Sequence, residues 1–221
     1  MSVLGLTLFV IGYGVGPMIL TPLQELPAYG RNPVYMIGML LFVLFELPII
    51  YAPNLNTILA FRFLTGVVGS PALATGGASL GDMWAGPKLP YAIATWAVGA
   101  VCGPCLGPVV AGFAAMNNGW QWPMIILAWL SAFAWVVMMI FLPETLGATI
   151  LHKRAARLRK LTGNENLRAP TELVHREFSE IAYEALVIPF KLLLEPAVFV
   201  VSLYLGLVYG IFYLFFESCK S

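Results

Sequence analysis

Apolar residues fall in six long runs along the chain, at about 2–20, 33–52, 57–81, 91–116, 123–142 and 196–216, separated by Pro, Gly, Asn and charged residues. A helix needs about 20 apolar residues to cross the hydrocarbon of a bilayer, and each run is of that order. The expected fold class is therefore an all-α integral membrane protein with about six transmembrane helices. The clearest stretch is Leu89 to Pro143, which contains no Asp, Glu, Lys or Arg and so holds two spans and a turn. That turn reads Asn117-Asn118-Gly119-Trp120-Gln121-Trp122, polar but uncharged, with two tryptophans where aromatic rings favour a membrane interface.

Composition agrees: 60% of the residues are hydrophobic and 10% are charged. A soluble surface cannot be covered at that charge density. The positions of Lys and Arg set the orientation. Arg31 lies in the first loop, Lys88 in the third, and Lys153, Arg154, Arg157, Arg159, Lys160, Arg168, Arg176 and Lys191 in the fifth. The second loop, Pro53-Asn54-Leu55-Asn56, and the fourth carry none, so the odd-numbered loops are expected on the cytoplasmic side. Met1 would then lie outside, although MSVLGLTLFV has neither a positive n-region nor a cleavage site. The expectation is that an earlier span precedes it and that Met1 is an internal methionine of a longer protein.

Two motifs invite other functions. Cys102-Gly103-Pro104-Cys105 spells the dithiol of thioredoxin-like oxidoreductases, but there the motif follows a strand and opens a solvent-accessible helix. Inside a bilayer helix the thiolate is disfavoured, so both cysteines are expected as neutral thiols. Cys219 lies in the polar tail. The tract TILHKRAARLRKLTGN places five cations in eight residues, a density that also suits nucleic acid or calmodulin. Leu151, Leu158 and Leu161 share one helical face, and the favoured reading is a helix lying along the anionic cytoplasmic leaflet, with no nucleic-acid partner. A second cytoplasmic helix is expected at Thr171–Phe178, with Thr171 as a cap. His152 and His175 have no Cys or His at ligand spacing, so no metal site and no cofactor are expected. No catalytic residue is identified, and the chain is not expected to be an enzyme.

Polar groups inside spans each need a reason, since a central charge costs about 2.5–3.5 kcal/mol on insertion scales. Glu46 in the second span and Arg62 in the third are two such groups. Two readings of Glu46 stand: a side chain near the outer end reaching headgroups beside Pro48, or a functional carboxylate facing a cavity or partner. Arg62-Phe63-Leu64-Thr65-Gly66 precedes Gly69, Gly76, Gly77 and Gly81, a small-residue face suited to close packing. In the fourth span Gly99, Gly103 and Gly107 align four apart, with Gly112 near its end and Pro104 and Pro108 among them. They form a groove that another helix backbone can enter, on a helix the prolines are expected to kink.

These residues resemble the major facilitator superfamily, specifically the fungal multidrug:proton antiporters of the twelve-span type, over residues 2 to about 218. Gly99 through Pro108 is similar to the antiporter signature GxxxGPxxGG, with Pro108 in place of the last Gly. Arg62 through Gly66 resembles the family's RxxxG signature, whose Arg is associated with proton coupling. Thr21-Pro22-Leu23-Gln24-Glu25-Leu26-Pro27-Ala28-Tyr29-Gly30-Arg31-Asn32-Pro33 resembles the GxLxDRxGRR loop. There Thr21 replaces Gly, Glu25 replaces Asp, and two residues are added before Gly30; the GRNP ending is similar to the fungal drug-resistance branch. Leu142-Pro143-Glu144-Thr145 and Arg157-Leu158-Arg159-Lys160-Leu161-Thr162-Gly163 also resemble that branch's central loop.

The resemblance implies a partial major-facilitator fold. Residues 1–143 would be the N-terminal bundle lacking its first helix, 144–195 the cytoplasmic central loop with amphipathic and basic helices, and 196–221 the truncated first helix of the C-terminal bundle. It implies a charge cluster of Glu25, Arg31 and Asp82 latching the inward gate, with Arg62 and Glu46 as further candidates for proton coupling. The implied parent is a multi-pass plasma-membrane exporter that moves amphipathic small molecules outward in exchange for protons, with no obligate protein partner. On this reading Cys219-Lys220-Ser221 looks like the product of a frameshift or retained intron. Two alternatives are a membrane module or pseudogene product that does not transport, and a facilitator of a sugar or metabolite on the same fold.

Overall fold

A computed structural model describes residues 2–26, 29–163, 167–173 and 178–218. The expectations for His175 and Cys219 lie outside the described residues, and so does the side chain of the proposed cap Thr171. The chain divides into two compact units, residues 1–175 and 176–221.

In the first unit α1 (Ser2–Glu25) is followed by α2 (Arg31–Ile50). The next membrane-length segment is built from α3 (Leu55–Gly69), α4 (Pro71–Ala74) and α5 (Gly76–Met83). After a 3₁₀ turn come α6 (Leu89–Asn118), α7 (Trp122–Phe141), α8 (Gly147–Thr162) and the single turn α9 (Pro170–Leu173). The second unit pairs α10 (Phe178–Leu193) with α11 (Pro196–Ser218). Six helical segments among the described residues are long and apolar enough to cross a membrane: Leu4–Glu25, Arg31–Ile50, Leu55–Met83, Gly86–Asn117, Trp122–Phe141 and Pro196–Phe215. All six expected spans are present. The expected helix at 171–178 is described as α9 and the start of α10, residues 174–177 lying outside the description.

Two boundaries differ from expectation. The first helix continues through Pro17 and Pro22 to Glu25 instead of stopping near residue 20. Proline removes one internal hydrogen bond, and helices in bilayers tolerate that loss when neighbours re-satisfy the freed group. The third span is not one helix, because it breaks at Ser70 and again at Thr75. Pro71 has no N–H for the Val67 carbonyl, and the Ser70 hydroxyl donates to that carbonyl instead at 2.8 Å. The Thr75 hydroxyl likewise donates to the Pro71 carbonyl at 2.9 Å, beside the backbone bond from Thr75 N–H.

In this unit α1 packs chiefly on α3, and α2 packs on both α3 and α7. Glycine makes the α1–α3 approach possible. A Cβ at Gly12 would strike the Phe63 carbonyl, and one at Gly66 would strike the Phe9 carbonyl and the Tyr13 amide. These neighbours are backbone atoms that cannot swing aside. Between α2 and α7, Trp135 Nε1 donates to the Met36 carbonyl at 3.1 Å. The loops segregate as the charge pattern requires: Gln121 Nε2 donates to the Ile50 carbonyl at 3.4 Å, joining the second and fourth loops at one end. The first, third and fifth loops meet at the opposite, charge-rich end.

Gly66→Ala is expected to destabilise the bundle by about 1–3 kcal/mol, the usual cost of overpacking. Gly103→Ala, where an added Cβ meets nothing within 4 Å, is expected to be neutral or stabilising by about 0.5–1 kcal/mol. Thermal unfolding of the two variants in lipid nanodiscs measures the difference; equal midpoints would contradict the tight α1–α3 contact.

Candidate functional site

Arg31 organises the charge-rich end. It opens α2 after Gly30, whose φ of 83° lies in the left-handed region that glycine tolerates. Its Nη1 donates to Asp82 Oδ2 at 2.5 Å and to Ser79 Oγ at 3.5 Å, while its backbone N–H donates to Glu144 Oε1 at 3.1 Å. The same Glu144 oxygen accepts the backbone N–H groups of Thr145 and Leu146, each at 3.1 Å. Asn32 Nδ2 donates to the Leu142 carbonyl at 2.7 Å. One turn along α2, the Tyr35 hydroxyl shares hydrogen bonds with the hydroxyls of Thr75 (2.6 Å) and Ser79 (3.0 Å). Three loops are thus tied by one network.

Of the expected gate cluster, Arg31 and Asp82 meet. Glu25 sits exposed at the last residue of α1, without an ion pair among the described residues. The anion that joins this cluster from the fifth loop is Glu144, which was visible in the sequence only as part of Leu142-Pro143-Glu144-Thr145. An acid placed just beyond a proline that closes a span was the available clue. Thr75, Ser79 and Asp82 follow helical spacing, as do Arg31 and Tyr35, so the two facing stripes were also legible.

Deep in the same bundle Glu46 is fully buried at 0% exposure, and neither carboxylate oxygen has a hydrogen-bond partner among the described residues. Of its two readings, exposure to headgroups fails for the bundle as it is folded. Arg62, on the adjacent α3, is the other charged side chain away from the charge-rich end, and no ion pair joins it to Glu46 among the described residues. Arg62 is half-buried, with its guanidinium against the Met124 sulfur, and its carbonyl accepts the Thr65 hydroxyl at 3.0 Å. The pair lies toward the end opposite the latch, one turn before the end of α2 and two turns into α3.

The α6 residues form a different feature. Gly99, Gly103, Gly107 and Gly112 each leave at least 4 Å of open space beside the backbone. Pro104 is half-buried and Pro108 exposed, and the helix runs unbroken through both. Cys102 and Cys105 are free and exposed on this helix. Among the described residues no group of three or more His, Cys, Asp or Glu side chains is placed to hold a metal ion.

Outside the spans, Glu172 clasps α9 to α8. Its carboxylate accepts Arg159 Nη2 at 2.7 Å and Nη1 at 3.0 Å, and it also accepts the Ala169 N–H at 3.3 Å. His152 Nδ1 lies 3.1 Å away. The Arg159 hydrogen bonds hold this carboxyl below its ordinary value of 4.5, against the opposing effect of burial.

The sequence profile of the Major Facilitator Superfamily matches residues 2–218. The MFS-type transporter pyvG of Aspergillus violaceofuscus is 46% identical over 97% of this chain and 40% of its own length. Transporter mfs1 of Schizosaccharomyces pombe is 43% identical over 98% of this chain and 41% of its own. The cycloheximide resistance protein of Candida maltosa is 39% identical over 99% of this chain and 41% of its own. The chain therefore spans about two fifths of the length of these curated relatives.

Glu144→Ala removes the acceptor of three N–H groups and is expected to cost about 2–4 kcal/mol. Asp82→Asn is expected to cost only about 1 kcal/mol, because the Asp82 side chain is 42% exposed and water screens its pair. Nanodisc unfolding midpoints in the reverse order would refute the central place given to Glu144. The Glu172 clasp, whose carboxyl is depressed on folding, contributes stability above pH 4.5 and loses it as pH falls through the folded-state value. Hydrogen exchange at 167–173 should accelerate on acidification, and Glu172→Gln should show fast exchange at every pH.

Proposed function

The chain belongs to the Major Facilitator Superfamily, and from that membership we propose that its bundle works in a proton-driven exporter that moves amphipathic small molecules out through the plasma membrane. The observation that carries the proton-coupled reading is Glu46: a fully buried carboxylate, inside a span, with no hydrogen bond to either oxygen among the described residues. A carboxylate in hydrocarbon is tolerated when a cation or a proton neutralises it. Here Arg62 supplies the cation, and the proton gradient supplies the alternative. When Glu46 takes a proton its attraction for Arg62 disappears, which frees α2 and α3 to shift against each other. When the proton leaves, the attraction returns.

At the other end, the Arg31–Asp82–Glu144 network acts as the latch of the cytoplasmic gate, with Glu25 at its margin. The open face of α6 at Gly99, Gly103, Pro104, Gly107 and Pro108 would receive a helix backbone as the fold alternates between states. Transport on this fold uses a site between two helix bundles, so the bundle acts with a second one. The cycloheximide resistance protein among its relatives supports a drug-like cargo.

The test exchanges the matched segment of that cycloheximide resistance protein for this chain, in a cycloheximide-sensitive host. The chimera should restore resistance, and a protonophore should cancel it. Glu46→Gln should lower export by about ten-fold or more, the scale on which losing a proton-transfer group acts, with membrane insertion unchanged. Export insensitive to both the protonophore and Glu46→Gln would favour a facilitator and defeat the antiport reading.

A further inference from the structure

Helix α8 carries Lys153, Arg154, Arg157, Arg159 and Lys160 and no acidic residue. Its cations are divided between two sides. Arg159 and His152, seven apart and so on one face, are both taken by Glu172. Ile150, Arg154, Arg157 and Leu161 follow the spacing of a single stripe on the opposite face, flanked by Lys153 and Lys160 on one side and Leu151 and Leu158 on the other. All eight of these flanking and stripe residues are exposed, whereas Thr149 is fully buried and His152, Ala155, Ala156 and Arg159 are half-buried. The four cations of the exposed arc have no ion pair among the described residues. Leu161 is 82% exposed.

The place of α8 is also fixed. Five residues separate it from the end of α7. That linker is held to the start of α2 at both Leu142 and Glu144. The first turn of α8 therefore starts at the charge-rich mouth of the spans, at the level where lipid headgroups lie.

We propose that the exposed arc of α8 is a docking surface for anionic phospholipid headgroups of the cytoplasmic leaflet, with the Glu172 clasp setting the roll of the helix so that Lys153, Arg154, Arg157 and Lys160 meet the lipid. Charge complementarity selects this occupant: the leaflet is anionic, and an unopposed basic cluster next to a span is attracted to it. The interleaved leucines and isoleucine enter the acyl boundary while the long Lys and Arg stems carry their charges back to the phosphates. This surface does not depend on the exporter reading.

The experiment uses the full chain in nanodiscs of phosphatidylcholine, with or without phosphatidylserine. A fluorophore is attached to Leu158→Cys after Cys102→Ala, Cys105→Ala and Cys219→Ser. In phosphatidylserine discs a lipid-borne quencher should outperform an aqueous one, and the preference should reverse in pure phosphatidylcholine or at high salt. Replacing Lys153, Arg154, Arg157 and Lys160 by Gln should abolish the phosphatidylserine dependence, with hydrogen exchange of the spans unchanged as the check on folding. Glu172→Gln should weaken the dependence several-fold. Equal aqueous quenching in both lipids would overturn the proposal, placing the arc in water. Lipid quenching indifferent to phosphatidylserine and to the four substitutions would overturn it as well, leaving a purely apolar contact.

Discussion

A charge cannot stand alone in hydrocarbon, and the arrangement of this bundle follows from that constraint. Between residues 2 and 141 the charged side chains are Glu25, Arg31, Glu46, Arg62, Asp82 and Lys88. Four of them lie at helix ends on the charge-rich side, where Arg31 and Asp82 satisfy each other. The remaining two, Glu46 and Arg62, have opposite signs and lie on helices that pack directly on each other. Among the described residues neither interior group is hydrogen-bonded or ion-paired to the other.

Glycine gives the pair its fixed backing. Gly12 meets the carbonyl of Phe63, the residue after Arg62, and Gly66, one turn beyond Arg62, meets the backbone of Phe9 and Tyr13. The α3 backbone is thus clamped in the turn that follows Arg62 by contacts with no side chain to yield. The cation is set on a rigid support, with its guanidinium against the Met124 sulfur. Farther along, the third span gives up helical continuity at Ser70 and Thr75; the Ser70 hydroxyl takes over the freed Val67 carbonyl and the Thr75 hydroxyl adds a second bond to that of Pro71. The break separates the Arg62 segment from the Ser79–Asp82 segment, so the two charged regions of one span sit on different helical pieces.

Much of this was legible in the sequence because hydrophobic runs, basic loops and small-residue spacing are direct consequences of the bilayer. The six spans and the alternation of the loops could be read that way, whereas the meeting of Arg31 with Asp82 was implied by the family resemblance. The pieces that escaped depend on three-dimensional satisfaction of single polar atoms. The break at Ser70 arises because Pro71 withholds one N–H, an effect that hydropathy does not register. Glu144 became central because one of its oxygens faces three backbone N–H groups, one of them 113 positions away. In the fourth span Cys102-Gly103-Pro104-Cys105 lies, as expected, within a membrane-length helix with both thiols free, and that helix runs unbroken through Pro104 and Pro108.

Glu144 joins elements that would otherwise be independent. It binds the first backbone N–H of α2, caps the chain that leads into α8, and lies two residues beyond Leu142, whose carbonyl is held by Asn32. A displacement of α2 large enough to part Arg31 from Asp82 must therefore either pull the linker with it or break the Glu144 contact. If the linker follows, α8 tilts, and the basic arc on its outer face changes its distance from the membrane. Holding that arc at the lipid surface would oppose the opening, whereas releasing it would favour the opening. Linkage of this kind is reciprocal, because any free energy with which the leaflet favours one position of α8 is the same free energy by which it biases the latch. The five residues between α7 and α8 are thus the covalent link between the Arg31–Glu144 contact and the basic arc.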